Sequence, residues 1–271
     1  MGRHSGEVFA VIPTQPQLRL APDRFLTCIR RRLWLPLGLS DSNCPGCSQS
    51  LDPQGFHLLT CPISGRLGAR SKPLERTWAQ IAREAGARVR PEVLIASLNA
   101  FAARPGDQRH IDFVAYGLPI YGGLPLCCDP TLRSPLEVDG APRLGTVEDG
   151  EALLRNAEAD KRRHYSDLAN SERCVLLPLA CSTGGRWSET CIEVIRLLAR
   201  HKAEAEPPLL RQSYRLAYER RWWGLLSVAL HESVAASLDP TASVSEQSFP
   251  VVDSIDIWLR DAPAVSLLGA R

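Results

Sequence analysis

A single aspartate stands inside the apolar run LPLCCDPTL, and this carboxylate, Asp129, limits what the chain can fold into. A charge in an apolar strand is costly to bury unless it is paired, protonated or bound to a cation. A second strand-like run, RHIDFVAYG, carries Asp112 between Ile111 and Phe113. There Ile111, Phe113 and Ala115 alternate with Asp112, Val114 and Tyr116, the period-two pattern of a strand with two unlike faces. The connection LPIYGGL contains the turn signal Gly122-Gly123. The two runs are therefore expected to pair as a hairpin, with both aspartates side by side at a sheet edge. Two such carboxylates repel each other, and a divalent cation is the simplest remedy. Their hard, oxygen-only character suits magnesium or manganese. The alternative is that Asp112 begins a strand and Asp129 caps a turn before Pro130.

The segments around this pair complete an α/β pattern. KPLERTWAQIAREAGA, from residue 72, reads as an amphipathic helix with Leu74, Trp78, Ile81 and Ala85 on one face and Glu75 near its start. RVRPEVLI alternates as a strand, and Pro91 argues for an edge position. After the acidic runs, a loop rich in Gly and Pro leads into a helix over 151–168 with a stripe of Leu153, Leu154, Ala157 and Leu168. Lys161 and Tyr165 are spaced i, i+4 there and share a face. A lysine beside a metal-bound phosphate can stabilise developing charge or orient the attacking water; the plainer reading is a solvated lysine in the basic run Lys161-Arg162-Arg163. CVLLPLACS then has the nearly continuous apolar character of a strand buried on both faces. The expected order is helix, three strands, helix, strand.

Upstream, Cys44-Pro-Gly-Cys47 is followed by His57 and Cys61. The close cysteine pair can turn through Gly46 so that both sulfurs face one ion, and His57 and Cys61 lie about one helical turn apart. Three thiolates and an imidazole make a closed tetrahedral set that leaves no position for water, the signature of a structural rather than a catalytic zinc. A module of about 20 residues buries little core, so the metal would supply most of its folding free energy. The competing reading is four unconnected residues in a loop. Before it, FLTCIRRRLWLPL over 25–37 has helical apolar spacing, with Pro36 expected to end the helix. Arg30, Arg31 and Arg32 either form a solvated basic face or touch phosphate.

The remainder sets bounds. The chain has 271 residues, 44% of them hydrophobic, and a formal charge of +2, so affinity for nucleic acid must come from local clusters such as the arginine triplet, Arg162-Arg163 and Arg220-Arg221. No signal-peptide pattern and no apolar run near 18 residues is visible, which reads as an intracellular, soluble protein. Nine cysteines is an odd count, and the scatter of Cys127, Cys128, Cys174, Cys181 and Cys191 suits buried free thiols better than a disulfide framework, apart from the clustered ones. Residues 1–24, with Pro13, Pro16 and Pro22, read as an extended or poorly ordered lead-in. After Gly184-Gly185, Ser188 is placed to cap a helix, and a long helix over 207–238 carries Tyr214, Tyr218, Trp222, Leu225 and Leu226. Trp187, Trp222 and Trp223 suit packing better than base stacking. The tail over 239–271 is expected to be weakly ordered.

Taken together, CPGC…GFHLLTC, RHIDFVAYGLPIYGG, DPTLRSPL, DGEALLRNAEADKRRHYSDL and GGRWS resemble the carboxy-terminal region of non-LTR retrotransposon polyproteins. The likeness is to those with a restriction-enzyme-like endonuclease, especially the reverse-transcriptase-associated copies of dinoflagellate genomes, and it covers roughly 25–238. It implies a Cys-Cys-His-Cys zinc knuckle on Cys44, Cys47, His57 and Cys61, within 25–70. It implies a PD-(D/E)xK nuclease core over 71–186, a helical extension over 187–238, and Asp112 and Asp129 as magnesium ligands. Ile111 stands at the usual proline, and Thr131 replaces the lysine that commonly follows the second acid. The resemblance assigns that lysine to the following helix, as Lys161 with Tyr165, and offers Glu75 as a further acid. It implies nicking of target DNA in the nucleus, contacts to DNA and the element's RNA through Arg30, Arg31, Arg32, Arg162 and Arg163, and a reverse transcriptase as partner. No YxDD-like polymerase motif occurs in this chain. The rival is a catalytically inactive, zinc-containing nucleic-acid-binding remnant.

Overall fold

The computed structural model describes residues 2–39, 42–64, 67, 70–98 and 107–238. The expected loop over 99–108 lies largely, and the tail over 239–271 wholly, outside the described residues. A four-stranded mixed sheet forms the centre, in the order β1-β2-β3-β4. Its strands are β1 (Arg88–Leu94), β2 (His110–Tyr116), β3 (Leu126–Arg133) and β4 (Val175–Ser182). The first three pair antiparallel, and β4 runs parallel to β3. A parallel pair needs a crossover, and here α4 (Ala152–His164) and the short α5 (Ser166–Ala169) supply it. Ahead of the sheet lie α1 (Pro22–Arg32), α2 (Phe56–Thr60) and α3 (Lys72–Glu84); after it come α6 (Glu189–Ala203) and α7 (Arg211–Leu238).

Strand alternation divides the core. Phe113, Ala115, Cys128, Leu177 and Leu179 join Leu74 and Trp78 of α3, Ile195 of α6 and Trp222 of α7 in the larger cluster. Val114, Cys127 and Leu176 face the other way, into a smaller cluster with Tyr165 and Leu168. The sheet is thus covered on both faces, and Pro91 takes the edge strand that its missing N–H requires. Gly122 and Gly123, with φ of 72° and 77°, carry the left-handed turn between β2 and β3.

Several expectations change. Residues 2–21 are not an extended lead-in: two 3-10 turns, Glu7–Phe9 and Pro16–Leu18, bury Val8 and Leu18, and His4 stacks on Trp223 at 4.1 Å between ring centroids. Nor are the last helices an appendage. From Ala217 to Leu238, α7 is buried on almost every side, as a helix apolar all round must be. Arg221 and Trp222 of α7 both donate to the Glu84 carboxylate of α3, at 2.9 and 2.7 Å. The first helix spans Pro22–Arg32, beginning before Phe25 and ending ahead of Pro36, because Pro22 supplies a favourable first-turn residue and Trp34 turns left-handed just past the last helical residue. The expected helix over 151–168 breaks at Tyr165 into α4 and α5.

Arg70, missed in the sequence, joins the segment carrying the cysteines to the sheet. Its buried guanidinium donates to the carbonyls of Leu59 on α2 and Leu132 on β3, the latter at 2.8 Å. Arg70→Met leaves both carbonyls unpaired in the interior and is expected to lower stability by about 2–3 kcal/mol, read from the shift in chemical unfolding.

Candidate active site and metal centre

Asp112 and Asp129 lie on the two inner strands, not on an edge strand. Phe113 pairs with Cys128 and Val114 with Cys127. One more step in that register sets Asp112 opposite Asp129, and directly opposed residues project from the same face. This face is the one covered by α4 and α5, next along the strands from Val114 and Cys127.

Asp129 is 1% exposed and is charge-paired. Lys161 of α4 reaches its two carboxylate oxygens at 2.8 and 2.9 Å, and the Thr131 hydroxyl donates to Oδ1 at 3.0 Å. Pleating places Thr131 on the same side of β3 as Asp129. Thr131 thus occupies one Asp129 oxygen, while a cation arrives from the helix. Among the described residues, no hydrogen bond to the Asp112 carboxylate is found. Burial first, then the negative charges of Asp129 and Glu75, push its pKa up to about 7, against the pull of Lys161 and Lys72.

Tyr165 sits at the break between α4 and α5, with its ring centroid 5.9 Å from the Lys161 ammonium and its hydroxyl donating to the His110 carbonyl at 2.9 Å. Burial, then the charges of Asp129 and Asp112, hold the phenol protonated well above its ordinary range. Glu75 is within electrostatic reach of Asp112 but bonded elsewhere, to Ser71 at 2.6 Å and Lys72 at 2.9 Å. The structure therefore brings Asp112, Asp129, Lys161 and Tyr165 together and leaves Glu75 at their margin.

Among the described residues, one set of three or more His, Cys, Asp or Glu side chains has donor atoms close enough to share a metal: Cys44, Cys47, His57 and Cys61, all within 4.8 Å of one another. Cys44 and Cys61 sulfurs are 3.8 Å apart, and Cys47 Sγ is 3.1 Å from His57 Nε2. Thiolates about 2.3 Å from a tetrahedral centre stand roughly 3.8 Å apart, so this cluster can bind a metal ion such as zinc. Burial opposes ionisation of Cys44, but the N–H groups of Cys47 and Gly46 outweigh it and draw the pKa down to about 6. A side chain at Gly46 would meet the Ile63 carbonyl oxygen at 2.5 Å, so only glycine lets the cysteine turn lie against the segment after Cys61.

Asp52 contributes in a way its sequence position did not disclose. Its carboxylate accepts from the backbone N–H groups of Gln54, Phe56 and His57 at 3.1, 2.9 and 2.8 Å. This caps α2 and sets the orientation of His57; an Asp-Pro pair shortly before a helix is the signal that marks it. All nine cysteines are free.

The expected nucleic-acid arginines fall in the last turns of two helices, α1 and α4. Arg30 bonds the Pro36 carbonyl at 3.1 Å, Arg31 is partly buried, and Arg32, Arg162 and Arg163 are exposed. Trp187, Trp222 and Trp223 are buried, in keeping with packing. No helix among the described residues is long and apolar enough to cross a membrane. No protein-family model matches the chain, and no curated protein is similar enough to it to be matched.

Proposed function

We propose that this chain is the metal-dependent DNA endonuclease module of a non-LTR retroelement, with a restriction-endonuclease-like core and a structural zinc knuckle, acting in the nucleus beside a reverse transcriptase. The observation that carries this reading is that Asp112 and Asp129, on adjacent strands, feel each other's charge, with Lys161 bonded to the second. The order α3, β1, β2, β3, α4, β4 is the helix, three strands, helix, strand succession read from the residue pattern, and it suits such a core.

The carboxylate pair fits a divalent cation: a buried Asp112 pushed up by a neighbouring carboxylate is the electrostatic situation that a cation relieves. Magnesium, held by Asp112 and Asp129, would supply Lewis-acid polarisation of a phosphoryl oxygen. Lys161 places an ammonium beside the charge that develops on the scissile phosphate and can orient the attacking water. Tyr165 holds Lys161 in place through its ring and fixes the start of β2 through the His110 carbonyl. Phosphodiester hydrolysis would leave a nicked strand with a 3′ hydroxyl for the polymerase. Exposed Arg162 and Arg163, next to Lys161 on α4, suit contacts to the DNA backbone.

Nicking of supercoiled plasmid with magnesium tests the reading. Asp129→Ala and Lys161→Ala are each expected to lower the rate by at least about a hundredfold, the usual cost of losing a group that stabilises transition-state charge. Nicking that survives either change overturns the assignment. One observation favours the rival, a binding remnant without turnover: Lys161 and Thr131 already engage the Asp129 oxygens. That reading predicts salt-dependent DNA binding, lost in Cys44→Ser, with no cleavage in any divalent metal.

A further inference from the structure

A cleft outside the carboxylate site lies between the end of α1, the start of α2 and the segments that follow β3 and β4. Its volume is about 330 Å³, and Arg31, Arg32, Trp34, Phe56, Ser134 and Thr183 line it. That is the lower end of the range for pockets that enclose a small organic group.

Two of its residues are not accounted for by folding. Trp34 is 67% exposed and stands edge-on to Phe56, with ring centroids 5.6 Å apart. Its φ is 57°, because it closes α1 in a Schellman turn: Trp34 N–H donates to the Arg31 carbonyl at 3.2 Å and Leu35 N–H to the Arg30 carbonyl at 2.8 Å. Glycine is the usual occupant of that position, since a Cβ is strained there. Here a tryptophan accepts the strain and keeps most of its ring in solvent, so neither packing nor backbone geometry selects it. Beside it, Nη1 of Arg31 is buried without a hydrogen-bond partner among the described residues. Asp52 is the carboxylate whose charge acts on Arg31, and its oxygens are taken up by the N–H groups at the start of α2. An under-satisfied guanidinium, a second arginine on the rim and an exposed aromatic face form the combination that holds a base by stacking and its phosphate by charge.

We propose that this cleft captures one unstacked nucleotide of single-stranded nucleic acid, with the base against Trp34 and Phe56 and its phosphate at the exposed Arg32, in the field of the buried Arg31 charge. The proposal rests on the endonuclease reading and specifies its substrate: DNA opened near the cut. Ser134 follows Asp129 by five residues along β3 and its end, a span of about 17 Å at roughly 3.3 Å per residue. That equals about five nucleotides at the duplex rise of roughly 3.4 Å. The captured base would therefore lie a few nucleotides from the cleaved phosphate.

The test uses the full chain without added magnesium and without chelator, so that cleavage plays no part and the cysteine cluster is undisturbed. Fluorescence anisotropy follows binding of a labelled oligothymidylate of about twelve nucleotides, and of the same oligomer with abasic sugars. Trp34→Gly relieves the left-handed strain, so its melting temperature is expected not to fall, while affinity for oligothymidylate falls about tenfold and affinity for the abasic strand barely changes. Trp34→Phe restores most of the loss. Unchanged oligothymidylate affinity in Trp34→Gly overturns the proposal, and so does an equal loss for both strands, which reports phosphate contact without base capture. Failure of the endonuclease reading looks different: the wild-type chain does not nick plasmid in magnesium, whatever the Trp34 variants bind.

Discussion

Exchange of Cys61 for serine is expected to lower the melting temperature of the whole chain and not merely to release a metal ion. Leu58 and Leu59, between His57 and Cys61, are both fully buried in the same core as Leu74, Trp78 and Trp222. The short helix that carries them spans only Phe56–Thr60, too few residues to hold helical structure unaided. Its order comes from the cap on Asp52, from Arg70 and, in our reading, from zinc. Without the fourth ligand the helix frays and its two leucines leave the core. A loss on the order of 5 kcal/mol is expected, a large share of the roughly 10 kcal/mol typical of a domain. Metal content by atomic emission and thermal unfolding by circular dichroism check it together. Wild-type protein should hold one zinc per chain and melt in one transition, whereas Cys61→Ser should lose both properties. A metal-free variant with an unchanged melting curve would mean that the cysteines only happen to be neighbours.

Asp112→Asn is expected to make the protein more stable while abolishing cleavage. Burial and the neighbouring carboxylates raise the Asp112 pKa from 3.8 to about 7, so the folded state binds this proton more tightly than the unfolded state does. The favourable contribution is complete below about pH 4 and is lost as pH rises to about 7. Above that, the ionised group opposes folding. At about 1.4 kcal/mol per unit, discounted for partial hydration, the cost near pH 8 is on the order of 2 kcal/mol without a divalent cation. Asparagine should recover this amount at pH 8 and gain nothing near pH 4. Magnesium should raise the melting temperature of the wild type at pH 8 and leave the variant unmoved. An Asp112→Asn protein that melts lower than wild type at pH 8 would show that the carboxylate is a structural group rather than a strained ligand.

How far the sequence disclosed this arrangement depended on whether a signal was local. The period-two runs around Asp112 and Asp129, joined by Gly122-Gly123, were legible because strand alternation and a glycine turn act over a few residues, and the described hairpin pairs them in register. Pro91 marked its strand as an edge for a similarly local reason, a missing donor. The cysteine cluster was legible from spacing because a metal site demands near-fixed intervals. What stayed hidden was long-range. That β1 pairs outside β2, so the acidic hairpin becomes interior, depends on partners chosen across the chain. The packing of His4 on Trp223 joins the two ends of the described chain, and no window of sequence contains both. Arg70 carries no local signal at all, since nothing nearby in the sequence indicates that it reaches carbonyls of both Leu59 and Leu132. The hydrogen bond from Thr131 to Asp129 was also hidden, because a threonine in a strand gives no sign of which side chain it serves.

The position of α7 has a consequence for how the molecule is made. Trp222, Leu226 and Leu230 lie in the core that α7 builds with α3, α6 and the first turns of the chain, yet they are among the last described residues to leave the ribosome. Until they emerge, the cysteine-bearing segment and the acidic hairpin can form locally, but their shared apolar surface has nothing to close on. Final collapse therefore waits on contacts of very large sequence separation, a slow step of the kind that high contact order imposes. Excising 71–186 as an independent fragment would remove that closing element, and an aggregation-prone intermediate is what such a fragment should yield.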